Sequence, residues 1–168
     1  MAERVLVFCR EPVRVTPREL VAELRDADLE TLAEVLELEE GEEAAVEEMW
    51  KCFRADGDAL DGLELFWHRE QRPIQLRAAP PMEEEREELL GGLKPETPGL
   101  ERVRTHLENT KTVVELEMGV HGARHLAATI AETLAFFIAE KSDGLVLFYG
   151  REFAAPDDRG RPLLMLRG

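Results

Sequence analysis

Several features that often announce a function are missing from this chain. Cysteine is scarce: Cys9 and Cys52 are the only two, too few for the disulfide framework of a small stapled secreted fold. Cys9 lies in an apolar run, the ordinary setting of a buried thiol, and both are read as reduced. No stretch approaches the roughly 20 apolar residues that a membrane-crossing helix needs. The start, Met-Ala-Glu-Arg, enters a short apolar run at Val5 without the longer apolar region and small-residue cleavage site of a secretory signal. A cytoplasmic location is therefore expected. A glycine-rich phosphate loop is also missing, because Gly91-Gly92 follows a helical segment and has no Lys-Ser/Thr sequel. The most telling gap is one of charge. Between Arg25 and Lys51 there is no basic residue, and the interval holds eleven carboxylates: Asp26, Asp28, Glu30, Glu34, Glu37, Glu39, Glu40, Glu42, Glu43, Glu47 and Glu48.

What is present describes a folded and very acidic chain. At 168 residues the length suits one domain, with about 70% of the unfolded surface buried on folding. The apolar content of 44% is globular, while the 34% charged content exceeds the usual ~25%. A net charge of −15 argues against nucleic-acid binding, which needs clustered Lys and Arg against phosphates. The acidic block repels phosphate and acidic lipid and attracts basic protein surfaces.

Periodicity sets out the elements. Val5 to Cys9 is a continuous apolar run, the pattern of a strand covered on both faces. Thr16, Pro17 and Glu19 combine an N-cap hydroxyl, a first-turn proline and a capping-box carboxylate, so a helix should begin at Pro17. A second helix is expected over Leu29, Leu32, Val35 and Leu36, and a third from Ala45 through Met49, Trp50 and Phe53 with a wet acidic face. Asp56-Gly57-Asp58 reads as a turn. A strand over Gly62 to Glu70 and another over Ile74 to Ala78 should form a hairpin cornered at Arg72-Pro73. A charged helical segment spans Met82 to Leu90, a Gly/Pro-rich flexible connector occupies 91–99, and a helix resumes from Leu100 to Leu107.

The last third alternates cleanly. Val114, Leu116 and Met118 face one side of a strand, and Glu115 and Glu117 the solvated other. A helix from about Ala123 to Glu140 follows, with Leu126, Ile130, Leu134, Phe137 and Ile138 in one stripe and Ala127, Ala131, Ala135 and Ala139 permitting close approach to a sheet. Leu145 to Tyr149 is a second continuous apolar run, and Leu163 to Leu166 a final strand expected antiparallel to it. The strand-helix-strand order predicts a C-terminal β-α-β unit with parallel pairing. The whole reads as a single α+β domain over 1–168, a mixed sheet packed against helices, with a ferredoxin-like arrangement among the topologies that fit.

Candidate chemistry is sparse. His121 and His125 stand i, i+4 at the start of the long helix and could share a metal, with Glu117 or Glu132 as a third ligand. Two solvated histidines are the plainer account. Gly119 and Gly122 lie between a strand and a helix start, where amides can meet an anion, although a tight turn explains them as well. A nucleophilic cysteine would need His68 beside Cys9 or Cys52, and the apolar strand around Cys9 opposes a thiolate. Trp50, Phe53, Phe66 and Trp67 read as core anchors.

The acidic block supports one functional expectation and leaves one alternative. By composition alone the chain resembles small acidic bacterial proteins that neutralise toxins or escort secreted effectors. The expected function is a non-enzymatic intracellular domain docking a basic protein partner through Glu39, Glu40, Glu42, Glu43, Glu47 and Glu48, with no cofactor, no nucleic acid and no membrane. The alternative is a small-ligand or metal-dependent enzyme or sensor using the 118–125 strand-to-helix turn around His121 and His125.

Overall fold

The computed structural model describes residues 3–27, 42–69, 71–93, 99–119, 124–148, 152–156 and 164–165. Its elements are β1 (Glu3–Cys9), α1 (Pro17–Asp26), α2 (Glu42–Cys52), β2 (Arg54–Asp56), β3 (Glu64–Phe66), β4 (Ile74–Ala79), α3 (Glu83–Gly91), α4 (Leu100–Glu108), β5 (Thr112–Met118), α5 (Arg124–Ser142), β6 (Gly144–Phe148), β7 (Glu152–Ala154) and β8 (Leu164–Met165). The eight strands form one sheet in the order β2-β3-β4-β5-β1-β6-β7-β8. This is an α+β architecture.

Every strand pair among the described residues is antiparallel, which corrects the expectation of a mixed sheet. β5 and β6 run parallel, as a crossover helix requires, but they do not pair. β1 lies between them, with Val7 opposite Val114 on one side and Val146 on the other. The physical reason is that β1 is apolar on both faces and takes the doubly covered position between β5 and β6. β1 and β4 flank β5 in the same way. β8 likewise pairs with β7 and not with β6, because Glu152–Ala154 forms an intervening strand too short to read from periodicity.

The sheet is covered on both faces. On one, Val5, Val7, Cys9, Leu65, Ile74, Leu76, Val114, Leu116 and Val146 pack with Leu20 and Leu24 of α1, Met49 of α2 and the apolar stripe of α5. Leu126, Ile130, Leu134 and Ile138 are all buried there, and the alanines between them are buried too, which lets α5 lie close over β1 and β6. On the other face, Phe8, Leu145, Leu147 and Phe153 meet Leu100, Val103 and Leu107 of α4. The connector expected at 91–99 contributes to that second core, since Leu93 is buried in it; residues 94–98 lie outside the described ones.

Local chemistry fixes the ends of α1. The Thr16 hydroxyl accepts the Glu19 amide at 3.2 Å and Glu19 Oε1 accepts the Thr16 amide at 3.2 Å, a complete capping box. The expected hairpin joins β3 and β4, although β3 is shorter than its apolar run. β2 occupies part of the segment read as a turn, as an exposed edge strand. The helix expected over Leu29 to Leu36 lies outside the described residues.

Candidate functional site

Two regions carry unusual chemistry. The first is the outward side of α2. Glu47 and Glu48 are exposed, the next residue, Met49, is fully buried, and Trp50 is half-buried, so the helix is anchored on one side and anionic on the other. Lys51, the single cation in α2, reaches Glu48 at 3.1 Å; both side chains are 64% exposed, so the pair is solvent-screened and weak. Arg25 of α1 stacks over the Trp50 ring at 4.6 Å, and Phe53 lies 5.2 Å from the same ring. Trp50 and Phe53 therefore pack against the first core as expected and still show an edge to solvent.

Of the sequence-predicted acidic residues, Glu47 and Glu48 share this surface. Glu42 and Glu43 open the same helix, with side chains outside those described, and Glu39 and Glu40 lie outside the described residues. Acidic side chains are not confined to this helix. Glu83, Glu84, Glu85, Glu87 and Glu88 of α3 are exposed on the other side of the sheet, with Arg86 reaching Glu83 at 3.6 Å.

The expected histidine pair cannot be placed as a pair, because His121 lies outside the described residues; His125 is the second residue of α5, with its side chain outside those described. Among the described residues no group of three His, Cys, Asp or Glu is arranged to hold a metal. Cys9 is buried in β1, and burial pushes its thiol up to about 12. The Ser142 hydroxyl lies close enough to oppose that shift, though not in hydrogen-bond geometry. Cys52 Sγ donates to the carbonyls of Glu48 and Met49 within its own helix.

The second region was not legible as a site. At the end of β1, both helix layers converge on a cleft of about 410 Å³ lined by Arg10, Arg102, His106, Ala139, Glu140, Asp143, Gly144, Leu145, Ala155 and Pro156. α4 contributes Arg102 and His106, one turn apart on one face; α5 contributes Ala139 and Glu140. The chain leaving β1 is tied to the end of α5 by hydrogen bonds from the Arg10 amide to Asp143 O at 3.2 Å and from the Glu11 amide to Ser142 O at 3.1 Å. This extends the β1–β6 ladder and fixes the cleft floor.

Two side-chain arrangements define the cleft. Arg10 donates from Nε to Asp143 Oδ2 at 2.9 Å and from Nη2 to Asp143 Oδ1 at 3.0 Å, a forked ion pair. Asp143 holds this position at φ 48°, in the left-handed region where side chains are disfavoured and Asp is better tolerated than most. His106 is 5% exposed and its Nε2 lies 2.6 Å from Phe8 O. A carbonyl only accepts, so Nε2 carries the hydrogen and Nδ1 the lone pair in the neutral ring. Burial lowers the His106 pKa below its ordinary value; the bond to Phe8 O and Asp143 oppose this, and Arg10 and Arg102 reinforce it.

No protein-family model, no curated protein and no solved structure matches this chain. No described helix is long and apolar enough to cross a membrane.

Proposed function

We propose that this is a non-enzymatic protein-binding domain whose acidic surface, centred on α2 and the segment preceding it, docks a basic partner protein. The observation that carries the reading is the division of α2: Met49 is locked in the core while Glu47 and Glu48 stand in solvent beside the half-buried Trp50. Aromatic residues ringed by charge are frequent anchors of protein interfaces, and Trp50 with Arg25 above it supplies one next to the carboxylates. The exposed Glu48–Lys51 pair is weak enough for a partner's arginine to displace the lysine. A toxin-neutralising or effector-escorting role belongs to this class of interaction, and an intracellular location fits it.

The open part of the sheet surface argues in the same direction. Glu115 and Glu117 sit on the central strand β5, on the face opposite the first core, and Arg4 pairs with Glu115 at 3.3 Å. A stacking surface for bases needs exposed aromatics and cations there, and carboxylates disfavour it.

The test begins with recovery of a partner from the native host by the tagged wild-type chain. Association rates are then measured with purified partner across ionic strength, for wild type and for a variant carrying Glu42→Gln, Glu43→Gln, Glu47→Gln and Glu48→Gln. The expected result is a rate that falls steeply with salt for wild type and is lower and nearly flat for the variant. Equal rates at low salt, or recovery of no basic protein, would overturn the proposal.

A further inference from the structure

We infer that the cleft between α4, α5 and the ends of β1 and β7 is a binding site for a small molecule bearing an oxyanion, a carboxylate or a phosphate, held by Arg10 and Arg102 over His106. The inference does not depend on the acidic face.

The guanidinium of Arg10 has two donor edges. Asp143 occupies the one formed by Nε and Nη2, and the outer edge, formed by Nη1 and the second Nη2 hydrogen, has no partner among the described residues. An arginine clamped on one side presents its other edge at a fixed angle, which is the geometry for a second bidentate oxyanion. The clamp also neutralises Asp143, so this carboxylate does not exclude an anion from the cleft. Arg102 brings a second guanidinium to the rim, one helical turn from His106.

His106 completes a polar floor. Its Nε2 hydrogen is committed to Phe8 O, and the remaining nitrogen, Nδ1, accepts from a protonated ligand oxygen or a hydroxyl. Leu145, Ala139 and Ala155 line the rest, giving an apolar wall of the kind that small-ligand sites combine with a few polar groups. Glu140 stands exposed at the rim, where a hydroxyl or amine elsewhere on the ligand would meet it.

The backbone at Asp143 is the independent sign that the clamp matters. A helix ending in a left-handed residue is ordinarily served by glycine, and an aspartate there carries a conformational cost. Strain retained at one residue calls for something that the residue's side chain does, and here the side chain orients Arg10.

The experiment follows the His106 ring resonances by NMR in the full chain during separate titrations with inorganic phosphate, succinate and, at matched ionic strength, sodium chloride. Saturable shifts at millimolar phosphate or succinate, absent with chloride, are expected; the better of the two probes identifies the source of the oxyanion. Arg102→Gln, an exposed helix position that should leave the fold intact, and Arg10→Gln should each weaken binding about tenfold or more. Asp143→Gly should relax the backbone and also weaken binding, a combination that a purely structural aspartate would not give. Shifts no larger than those from chloride, or saturable binding unchanged in both arginine variants, would overturn the assignment.

Discussion

His106 should make the protein sensitive to mild acid, and the sign follows from its surroundings. The ring is buried at the cleft floor and its folded pKa lies below the ordinary value of 6.5, so the unfolded chain takes up a proton first as pH falls. Above that value both states are neutral and His106 imposes no pH dependence. Below it the unfolded state binds more protons, and stability declines until the pH reaches the lowered folded pKa. The steepest slope one group can impose is about 1.4 kcal/mol per pH unit. Asp143 and the Phe8 carbonyl favour the protonated ring, whereas Arg10, Arg102 and above all desolvation oppose it; Glu140 shares the cleft. Urea unfolding from about pH 7.5 to pH 5 measures the effect, with His106→Leu as the reference that removes this one titration from the background of carboxylates. The variant starts lower, by roughly 1–3 kcal/mol for the unpaired Phe8 carbonyl, and its stability falls less steeply with acid. Parallel curves for the two proteins, or a His106 ring titrating above its ordinary value, would refute the reasoning.

Three further outcomes are expected. Thr16→Ala removes the hydroxyl that accepts the Glu19 amide, leaving the backbone amide at position 16 to donate to Glu19 Oε1, and should cost about 1 kcal/mol in urea unfolding, against little change for the exposed control Arg18→Ala. Gly144→Ala places a Cβ 2.8 Å from Ala139 Cα and 2.9 Å from Val7 Cγ1, both fully buried neighbours, and should destabilise by about 1–3 kcal/mol; a cost under roughly 0.5 kcal/mol would show that α5 does not lie this close to β1 and β6. A thiol reagent at neutral pH should modify the native protein slowly at Cys9, whose thiol is buried and raised to about 12, and faster at the half-buried Cys52; Cys52→Ala should then leave almost no native reactivity until urea is added.

The parts of the fold visible in the sequence were those in which one residue pattern has one physical meaning. Two uninterrupted apolar runs, Val5–Cys9 and Leu145–Phe148, became adjacent strands covered on both faces, and Thr16-Pro17-Glu19 became a complete cap. Pairing was less visible. The crossover through α5 fixes that β5 and β6 point the same way, but nothing in either strand says that β1, far away in sequence, inserts between them. Short strands such as β7 lack enough residues to show a period. The cleft was hidden for a related reason. Arg10, Arg102, His106 and Asp143 come from three separate segments, and only the β1–β6 register with α4 on the second face brings them together. A weak signal did exist, in a polar Ser-Asp before Gly144 where a helix end would ordinarily prefer glycine alone.

The sheet order also separates the two proposed surfaces and makes them independently testable. α2 runs directly into the edge strand β2, while the cleft gathers around β1, β6 and the end of β7 toward the opposite edge. Glu47 and Glu48 of α2 are exposed and make no contribution to the cleft lining, so charge-neutralising changes there alter long-range attraction without moving Arg10 or His106. Conversely, Arg102→Gln removes a cation and makes the chain still more acidic, which should leave partner docking intact or slightly faster while oxyanion binding weakens. A variant at one surface that abolished function at both would mean that the surfaces are coupled through α5, whose length spans the contact with α2 and the rim of the cleft.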